Sequence, residues 1–245
     1  ADDGAAHHAL RVRGGAAVPE RLQGGEAAAR GGTARDPLHV CGGAFVPERL
    51  DRGEARGEPS GHLSPTSFVL FLQNHDQTGN RAFGDRLVTL ADADALRAAT
   101  AVLLLSPMVP LLFMGEEWGS RQPFLFFTSH HGELADAVRE GRRNEFAEFS
   151  EFADEATRER IPDPNAVSTF EQSRPDFGAQ TQPGHAEWHA LYRQLLSIRH
   201  AEIVPRLPGS AFLGCSVLGN AAVLARWQLG DGSQLRLELN LGEQG

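Results

Sequence analysis

Two apolar runs that each end in a cluster of polar residues restrict the fold more than any other feature. The run Phe68–Leu72 is followed by the polar residues Gln73–Gln77, and the run Val109–Met114 by Gly-Glu-Glu-Trp at 115–118. The intervening stretch Asp92–Ser106 has a helical pattern. Strand, helix and strand in this order predict a βαβ unit with buried parallel strands. The polar clusters then fall at the strand ends where α/β enzymes place their chemistry.

Three helices are predicted from periodicity and caps. The first covers Asp92–Ser106, with Asp92 or Asp94 able to cap it and Leu96, Ala99, Val102 and Leu103 as its inward stripe. The second covers Glu133–Phe149, where acidic residues precede basic ones as the helix dipole favours. The third covers His185–His200. Its apolar stripe consists of Trp188, Leu191, Tyr192, Leu195 and Ile198.

The two ends of the chain differ from this middle part. Leu235–Leu241 alternates apolar and polar residues and follows Ala222–Trp227 across a Gly-Asp-Gly-Ser turn, which predicts a β-hairpin. Residues 1–60 are crowded with Ala, Gly, Arg and Pro, and no helical or strand period persists there. We interpret this segment as an irregular remnant, either disordered or read out of frame from a GC-rich gene.

Charge and composition exclude several classes of function. The formal net charge is -9, from 23 basic and 32 acidic residues, which argues against a nucleic-acid partner and suits a neutral substrate such as a sugar. The longest apolar stretch, 101–114, is too short for a membrane span and contains prolines. Two distant cysteines favour a cytoplasmic protein without a disulfide scaffold. His130 and His131 lack a third ligand nearby, so neither a metal nor another cofactor is expected.

The polar segment Gln73–Arg81 is the strongest functional signal. A carboxylate beside an imidazole, His75-Asp76, can bind adjacent sugar hydroxyls and stabilise a nearby oxocarbenium ion. The alternative is an ordinary polar loop in which Asp76 caps backbone groups. A motif this short has many false positives, so the pattern alone leaves both interpretations open.

Several stretches in the same order resemble one family. FLQNHDQTGNRAFGDRL resembles the fourth signature region of the α-amylase superfamily, glycoside hydrolase family 13, in the form found in malto-oligosyltrehalose trehalohydrolases. VPLLFMGEEWGSRQPFLFFTSHH resembles the next barrel strand and loop. VREGRRNEFAEF and IPDPNAVSTFEQSRPDF continue the match, which covers roughly residues 57–200.

The resemblance implies a fold and a reaction. The expected fold is α/β: the C-terminal part of a (β/α)8 barrel over residues 61–200, followed by a truncated β-sandwich domain over 201–245. The implied reaction is hydrolysis of the α-1,4-glucosidic bond next to the terminal trehalose of maltooligosyl trehalose, which releases trehalose. An α-glucan is thus the expected partner, and the sequence leaves the oligomeric state open.

Individual residues receive roles from the same resemblance. Asp76 corresponds to the carboxylate that stabilises the transition state, and His75 to a residue that holds hydroxyls of the same sugar. Further substrate-binding residues are expected at Asn74, Gln77, Asn80, Arg81, Glu117 and Trp118.

Neighbouring residues are less clear from the sequence. Adjacent strand residues face opposite sides, so one of Glu116 and Glu117 is interpreted as a structural hydrogen-bonding group and the other as part of the pocket rim. Trp118 and three phenylalanines, Phe124, Phe126 and Phe127, are candidate sugar-stacking platforms. Ordinary packing is the alternative, and we favour it for at least two of the phenylalanines.

Two catalytic groups of the family have no counterpart here. Retaining hydrolysis needs a nucleophilic and an acid/base carboxylate about 5–5.5 Å apart. In the family they lie on motifs resembling Arg-x-Asp-Ala and an Ala-Glu pair, and neither motif precedes Asp76 in this sequence. We therefore expect the 245-residue chain to be inactive alone. A glucan branching enzyme or related transglycosylase, and a non-catalytic α-glucan-binding fragment, are the alternative functions.

Overall fold

The computed structural model describes residues 60–219 and 222–241, together with the backbone of three strands before residue 60. Most of the segment 1–60, which we expected to be irregular, lies outside these described residues. The strands are β1 (His7–Arg13), β2 (Arg49–Asp51), β3 (Glu54–Arg56), β4 (Val69–Leu70), β5 (Val109–Pro110), β6 (Ala211–Gly219), β7 (Ala222–Gln228) and β8 (Gln234–Asn240).

Between β4 and β5 in the chain lie the α-helices α1 (His75–Gly79), α2 (Leu87–Leu90) and α3 (Ala93–Leu105). After β5 follow the α-helices α4 (Glu133–Glu145), α5 (Glu155–Glu159), α6 (Val167–Gln172) and α7 (His185–Ile198). Short 3-10 helices cover Pro65–Ser67, Glu116–Trp118, Ser150–Phe152, Phe177–Thr181 and Val204–Arg206, and a π-helix covers Arg199–Ile203. None of the helices in the described ranges combines the length and apolar character that crossing a membrane requires.

The chain divides into two compact units. The first unit comprises residues 1–72, 91–112 and 190–245, and the second comprises 73–90 and 113–189. The residues predicted to form the site all fall in the second unit.

The predicted βαβ unit is present in the first unit. Strands β4 and β5 pair in parallel, and α3 lies between them in the chain. Both strands are shorter than predicted, and the expected burial on both faces is wrong, since Val69 is 57% and Val109 44% exposed. Among the described residues β4 and β5 pair only with each other. A parallel strand is buried by flanking strands and by helices on both faces, and this pair lacks the flanking strands.

Helix α3 begins at the predicted cap. The Asp92 carboxylate accepts hydrogen bonds from the backbone N–H groups of Asp94 and Ala95 at 2.9 and 3.0 Å. The predicted one-sided stripe is too narrow, because every residue of 101–105 is buried. A helix that is apolar on all sides is suited to such burial.

The C-terminal end of α3 is closed by Arg199. Its guanidinium is 7% exposed. It donates to the backbone carbonyls of Leu104, Ser106 and Met108 at 3.0, 2.5 and 2.6 Å. These bonds satisfy carbonyls that a helix end leaves without partners. Ile198, predicted to point inward, is 39% exposed instead, because the buried face that contains Tyr192 and Leu195 continues to Arg199 at the regular helical spacing.

A four-stranded sheet of order β1-β8-β7-β6 completes the first unit. The predicted hairpin is confirmed as β7 and β8, with the alternate leucines 235, 237 and 239 of β8 all at most 5% exposed. Strand β6 pairs antiparallel with β7 and was not predicted, whereas β1 pairs in parallel with β8. Cys215 on β6 is disulfide-bonded, contrary to our expectation, since distance along the sequence does not fix distance in space.

The second unit has its own apolar cluster. Ala82, Phe146 and Ile161 are buried, and partly buried phenylalanines at 83, 149 and 152 pack against them. Helix α4 ends at Glu145, before the predicted end at Phe149. The chain continues through Phe146–Phe152 as hydrogen-bonded turns, which place the phenylalanine rings in this cluster.

Candidate active site

The polar residues that follow β4 form the short helix α1. Asn74 is its N-cap, and its side-chain Oδ1 accepts a hydrogen bond from the backbone N–H of Gln77 at 2.8 Å. Thr78 and Gly79 are buried at the far end of the helix. The segment is therefore a capped helical turn whose backbone is anchored in the unit.

His75 and Asp76 project into solvent from the first turn of α1. The imidazole Nε2 of His75 lies 3.0 Å from the Asp76 carboxylate, and the two side chains are 70% and 69% exposed. Among the described residues, the side chains of His75 and Asp76 have no ionic or hydrogen-bonding contact other than this one. An exposed carboxylate beside an imidazole can receive a polyhydroxyl ligand without first losing a buried contact.

The other predicted binding residues near α1 differ in exposure. Gln77 is half-buried, Asn80 is exposed and Arg81 is half-buried. The backbone N–H of Asn80 donates to the Asp76 carbonyl at 2.8 Å, which continues the helical hydrogen bonding past Gly79. The structure thus brings the predicted residues 74–81 together on one turn and its immediate continuation.

A buried arginine that the sequence analysis did not assign to the site binds the C-terminal end of α1. Arg142, on α4, is 6% exposed, and its Nη2 donates to the backbone carbonyls of Gly79 and Arg81 at 2.8 and 2.9 Å. Its Nη1 donates to the Glu145 carboxylate at 2.9 Å. Burial lowers the pKa of the Arg142 guanidinium, and the Glu145 carboxylate opposes that shift. The stretch VREGRRNEFAEF contains this residue, but a basic residue on a polar helix gave no sign of burial.

Gln73 and Glu116 form a buried pair beneath this turn. The Glu116 carboxylate accepts from the Gln73 side-chain amide at 3.5 Å and from the Phe113 backbone N–H at 3.2 Å. Gln73 also accepts from the Leu87 backbone N–H at 3.1 Å. Glu116, 8% exposed, is thus the structural member of the adjacent glutamates. The two lie on a 3-10 helix, whereas the sequence predicted the end of a strand.

Glu117 is half-buried on the same 3-10 helix and lies close to the buried Arg86. Burial lowers the pKa of the Arg86 guanidinium, and the negative charges of Glu116 and Glu117 oppose that shift. The Arg86 guanidinium donates to the backbone carbonyls of Gln122 and Met114 at 2.5 and 2.8 Å. Arg86 therefore holds the loop on either side of Glu117 and counters its charge.

Trp118 is a packing residue in this structure. Its side chain is 2% exposed, and its ring lies 5.4 Å from that of Phe177. The ring of His185 places Nδ1 2.8 Å from the Trp118 carbonyl. Its indole faces are covered by protein, so a sugar ring has no access to them. The sequence cannot show this, because a tryptophan after a strand suits both roles.

The phenylalanines after Trp118 form a row of edge contacts. Phe124 meets Phe113 and Phe127 edge-on at 5.2 and 5.7 Å, and Phe127 meets Phe170 at 5.3 Å. Phe126, by contrast, lies over the Arg142 guanidinium at 5.2 Å. Phe126 and Phe127 are 40% and 36% exposed, so both pack on one side while part of each ring faces solvent.

Within residues 60–219 and 222–241, no group of three or more His, Cys, Asp or Glu side chains is arranged to hold a metal ion. His130 and His131 are both exposed. The side chains that α1 presents to solvent at its first turn are a carboxylate and an imidazole.

Comparison with known proteins gives relatives of one kind. A malto-oligosyltrehalose trehalohydrolase from Deinococcus radiodurans is 46% identical over 154 residues, which cover 61% of this chain and 24% of the relative. One from Arthrobacter ramosus is 45% identical over 132 residues, covering 54% and 22%. One from Saccharolobus solfataricus is 46% identical over 90 residues, covering 36% and 16%. The chain thus spans about a quarter or less of the length of these relatives.

One solved structure and one family model also match this chain. The crystal structure of a candidate alpha amylase from Salmonella typhimurium superposes with a TM-score of 0.69 at 42% sequence identity, covering 82% of this chain and 34% of that one. Residues 210–244 match a family described as a domain of unknown function, DUF3459. The predicted fold class is confirmed as the C-terminal part of a (β/α)8 barrel followed by the start of an all-β domain. Over these stretches the chain is similar to malto-oligosyltrehalose trehalohydrolases, and its structure is similar to that of an alpha amylase.

Proposed function

We propose that this chain belongs to a retaining glycosidase that cleaves the α-1,4-glucosidic bond next to the terminal trehalose of maltooligosyl trehalose and releases trehalose. Residues 61–200 belong to its catalytic barrel in this proposal and 201–245 to its C-terminal β-domain. Water is the acceptor, and no cofactor takes part.

The observation that carries the proposal is the geometry of His75 and Asp76. Both side chains are exposed on a capped turn and lie 3.0 Å apart, so both are open to the hydroxyls of one sugar. A carboxylate held near the anomeric carbon stabilises the positive charge that develops in an oxocarbenium-like transition state. The identity of 46% to a relative named for this reaction supports the choice of substrate.

The remaining polar residues of the turn take binding roles in the same proposal. Gln77, Asn80 and Arg81 donate or accept hydrogen bonds from neighbouring sugar hydroxyls. Asn74, whose Oδ1 caps α1, keeps a side-chain amide N–H₂ group as a donor. Glu117 lines the rim, with its charge countered by Arg86.

The other two carboxylates of a retaining mechanism are supplied from outside this 245-residue sequence, since neither family motif precedes Asp76. In the proposal this chain therefore provides the transition-state stabiliser and part of the substrate-binding surface. It does not provide the nucleophile or the general acid.

One assay tests the proposal against both alternatives. The product of the full-length gene is incubated with maltooligosyl trehalose, and released trehalose is measured. We expect trehalose to accumulate in step with loss of substrate. New α-1,6 branches in place of trehalose would identify a branching enzyme. Binding of the glucan without any bond cleavage would identify a non-catalytic module.

A further inference from the structure

Arg142, on α4, binds the backbone at the C-terminal end of α1 from another element. One guanidinium nitrogen donates to two carbonyls, those of Gly79 and Arg81, at 2.8 and 2.9 Å. Carbonyls at a helix end have no partner within the helix, and Arg142 supplies a donor to that of Gly79. The Arg81 carbonyl, just past the helix, accepts from the Gly84 backbone N–H at 3.2 Å as well as from Arg142. Asn74 caps the opposite end, and α1 is thus held at both ends by side-chain hydrogen bonds.

The environment of Arg142 keeps its fork in one place. The guanidinium lies 4.7 Å from the Phe146 ring and 5.2 Å from the Phe126 ring, and Glu145 binds its remaining end. Arginine presents its donors in a rigid plane, and a plane packed between rings has little freedom to turn. A lysine has one flexible ammonium group and cannot reproduce this geometry.

The position of Asp76 depends on this backbone. Its carboxylate and the His75 ring are 69% and 70% exposed and lie 3.0 Å from each other. No buried side-chain contact therefore fixes the carboxylate, and the orientation of α1 decides where it points. A displacement of about 1 Å in a reacting group costs on the order of 100-fold in rate.

We propose that Arg142 is a positioning residue for the candidate site, acting through the Gly79 and Arg81 carbonyls to orient Asp76. The inference rests on the proposed function, in which Asp76 acts on the sugar. Arg142 makes no contact with substrate in this proposal. Arg142 affects how well ordered α1 is, and through that the turnover rate.

Arg199 provides a matched control. It is equally buried, its pKa is also lowered by burial, and it too donates to backbone carbonyls at a helix end, in this case α3. Arg142→Lys and Arg199→Lys each remove a carbonyl-binding fork. Only the first removes it from α1.

Amide hydrogen exchange on the product of the full-length gene is the first test. Arg142→Lys should raise exchange about tenfold at Asn80 and Arg81, whose N–H groups bond to the carbonyls of Asp76 and Thr78. Arg199→Lys should leave these amides unchanged and raise exchange at Ser106, whose N–H bonds to Val102 at the end of α3. Unchanged exchange at Asn80 and Arg81 in Arg142→Lys would overturn the proposal.

Steady-state kinetics is the second test. Arg142→Lys should lower kcat about 10- to 100-fold with KM within about threefold, because binding groups remain while the reacting geometry is lost. Arg199→Lys should lower the thermal midpoint without this effect on kcat. An equal loss of kcat in both variants would show a general loss of stability and refute a positioning role.

A milder variant decides the case if Arg142→Lys does not fold. Phe126→Leu removes one ring from the guanidinium at a side chain that is already 40% exposed, so the fold should persist. It should raise exchange at Asn80 and Arg81 by about two- to fivefold, and unchanged exchange there refutes the proposal. If the wild-type product releases no trehalose, the proposed function fails, while the exchange measurements still report on Arg142.

Discussion

His75 and Asp76 contact each other and solvent, whereas Arg86, Arg142 and Gln73 in the same unit are buried and bind backbone groups. The exposed residues carry groups that can act on a ligand. The buried residues form hydrogen bonds with the backbone of the loops that carry those groups. Substitution of an exposed residue should therefore change the chemistry of the site, whereas substitution of a buried residue should change the geometry of the loops that carry it.

Asp76→Asn tests the chemical kind. In the product of the full-length gene this change keeps the size of the side chain and removes its charge. If Asp76 stabilises positive charge in the transition state, kcat and kcat/KM should fall by roughly 10²–10³, with substrate affinity much less affected. Initial rates of trehalose release over a range of substrate concentrations give both constants.

Asp154→Asn is the matched control. Asp154 is another exposed aspartate of the same unit, and its carboxylate caps α5 through the Thr157 backbone N–H at 3.1 Å. Asparagine caps nearly as well, so stability and kcat should stay close to wild type. Near-normal kcat in Asp76→Asn would show that the charge of Asp76 has no part in catalysis.

At the scale of elements, the turn after α1 is fixed by a close approach of two backbones. Gly84 has φ +62°, and a Cβ added to it would lie 2.4 Å from the Phe124 carbonyl oxygen. The Phe124 N–H donates to the Gly84 carbonyl at 3.0 Å, so the two segments are hydrogen-bonded where they meet. Neither a positive φ nor this spacing suits a residue with a side chain.

Gly84→Ala should therefore lower the free energy of unfolding by roughly 2–5 kcal/mol, from the left-handed backbone and the contact with Phe124 together. Gly141→Ala is the control within the same unit. A Cβ at Gly141, in α4, meets nothing within 4 Å, so alanine there should stabilise by about 0.5–1 kcal/mol. Denaturant unfolding of both variants compares the two, and similar midpoints would contradict the described turn.

At the scale of the whole molecule, the proposed retaining glycosidase needs a nucleophile and an acid/base carboxylate, and neither family motif precedes Asp76 in this sequence. The chain matches 24% of the length of the Deinococcus radiodurans relative. Retaining hydrolysis uses one carboxylate as nucleophile and a second as acid and base, and it fails when either carboxylate is missing. In the proposed enzyme, this chain thus supplies the transition-state stabiliser, and residues outside it supply the other two carboxylates.

The purified 245-residue chain should accordingly release no trehalose from maltooligosyl trehalose, whereas the product of the full-length gene should release it. Both proteins are assayed at equal molar concentration, with product measured over hours to detect slow turnover. Trehalose release by the short chain, abolished by Asp76→Asn, would show that all the catalytic groups lie within it.

Local features of the fold could be predicted from the sequence because their causes are local. The Asp92 cap depends on a side chain and two amides a few residues away. The β7–β8 hairpin depends on alternation and a glycine-containing turn. The position of the His75-Asp76 cluster after a strand was predictable for the same reason, since the change from apolar to polar residues marks the strand end.

Contacts between distant segments were decided only by the tertiary structure. Trp118 is buried, and one of the rings that pack against it, Phe177, lies far along the chain. Arg142 reaches Gly79 across 63 residues, and Arg199 reaches Leu104 across 95, although both arginines have the sequence setting of an ordinary charged helix residue. A pattern of apolar and polar positions describes which side of an element tends to be buried. Which backbone carbonyl a buried guanidinium finds depends on packing that brings the two segments together, and no periodicity within one segment records that.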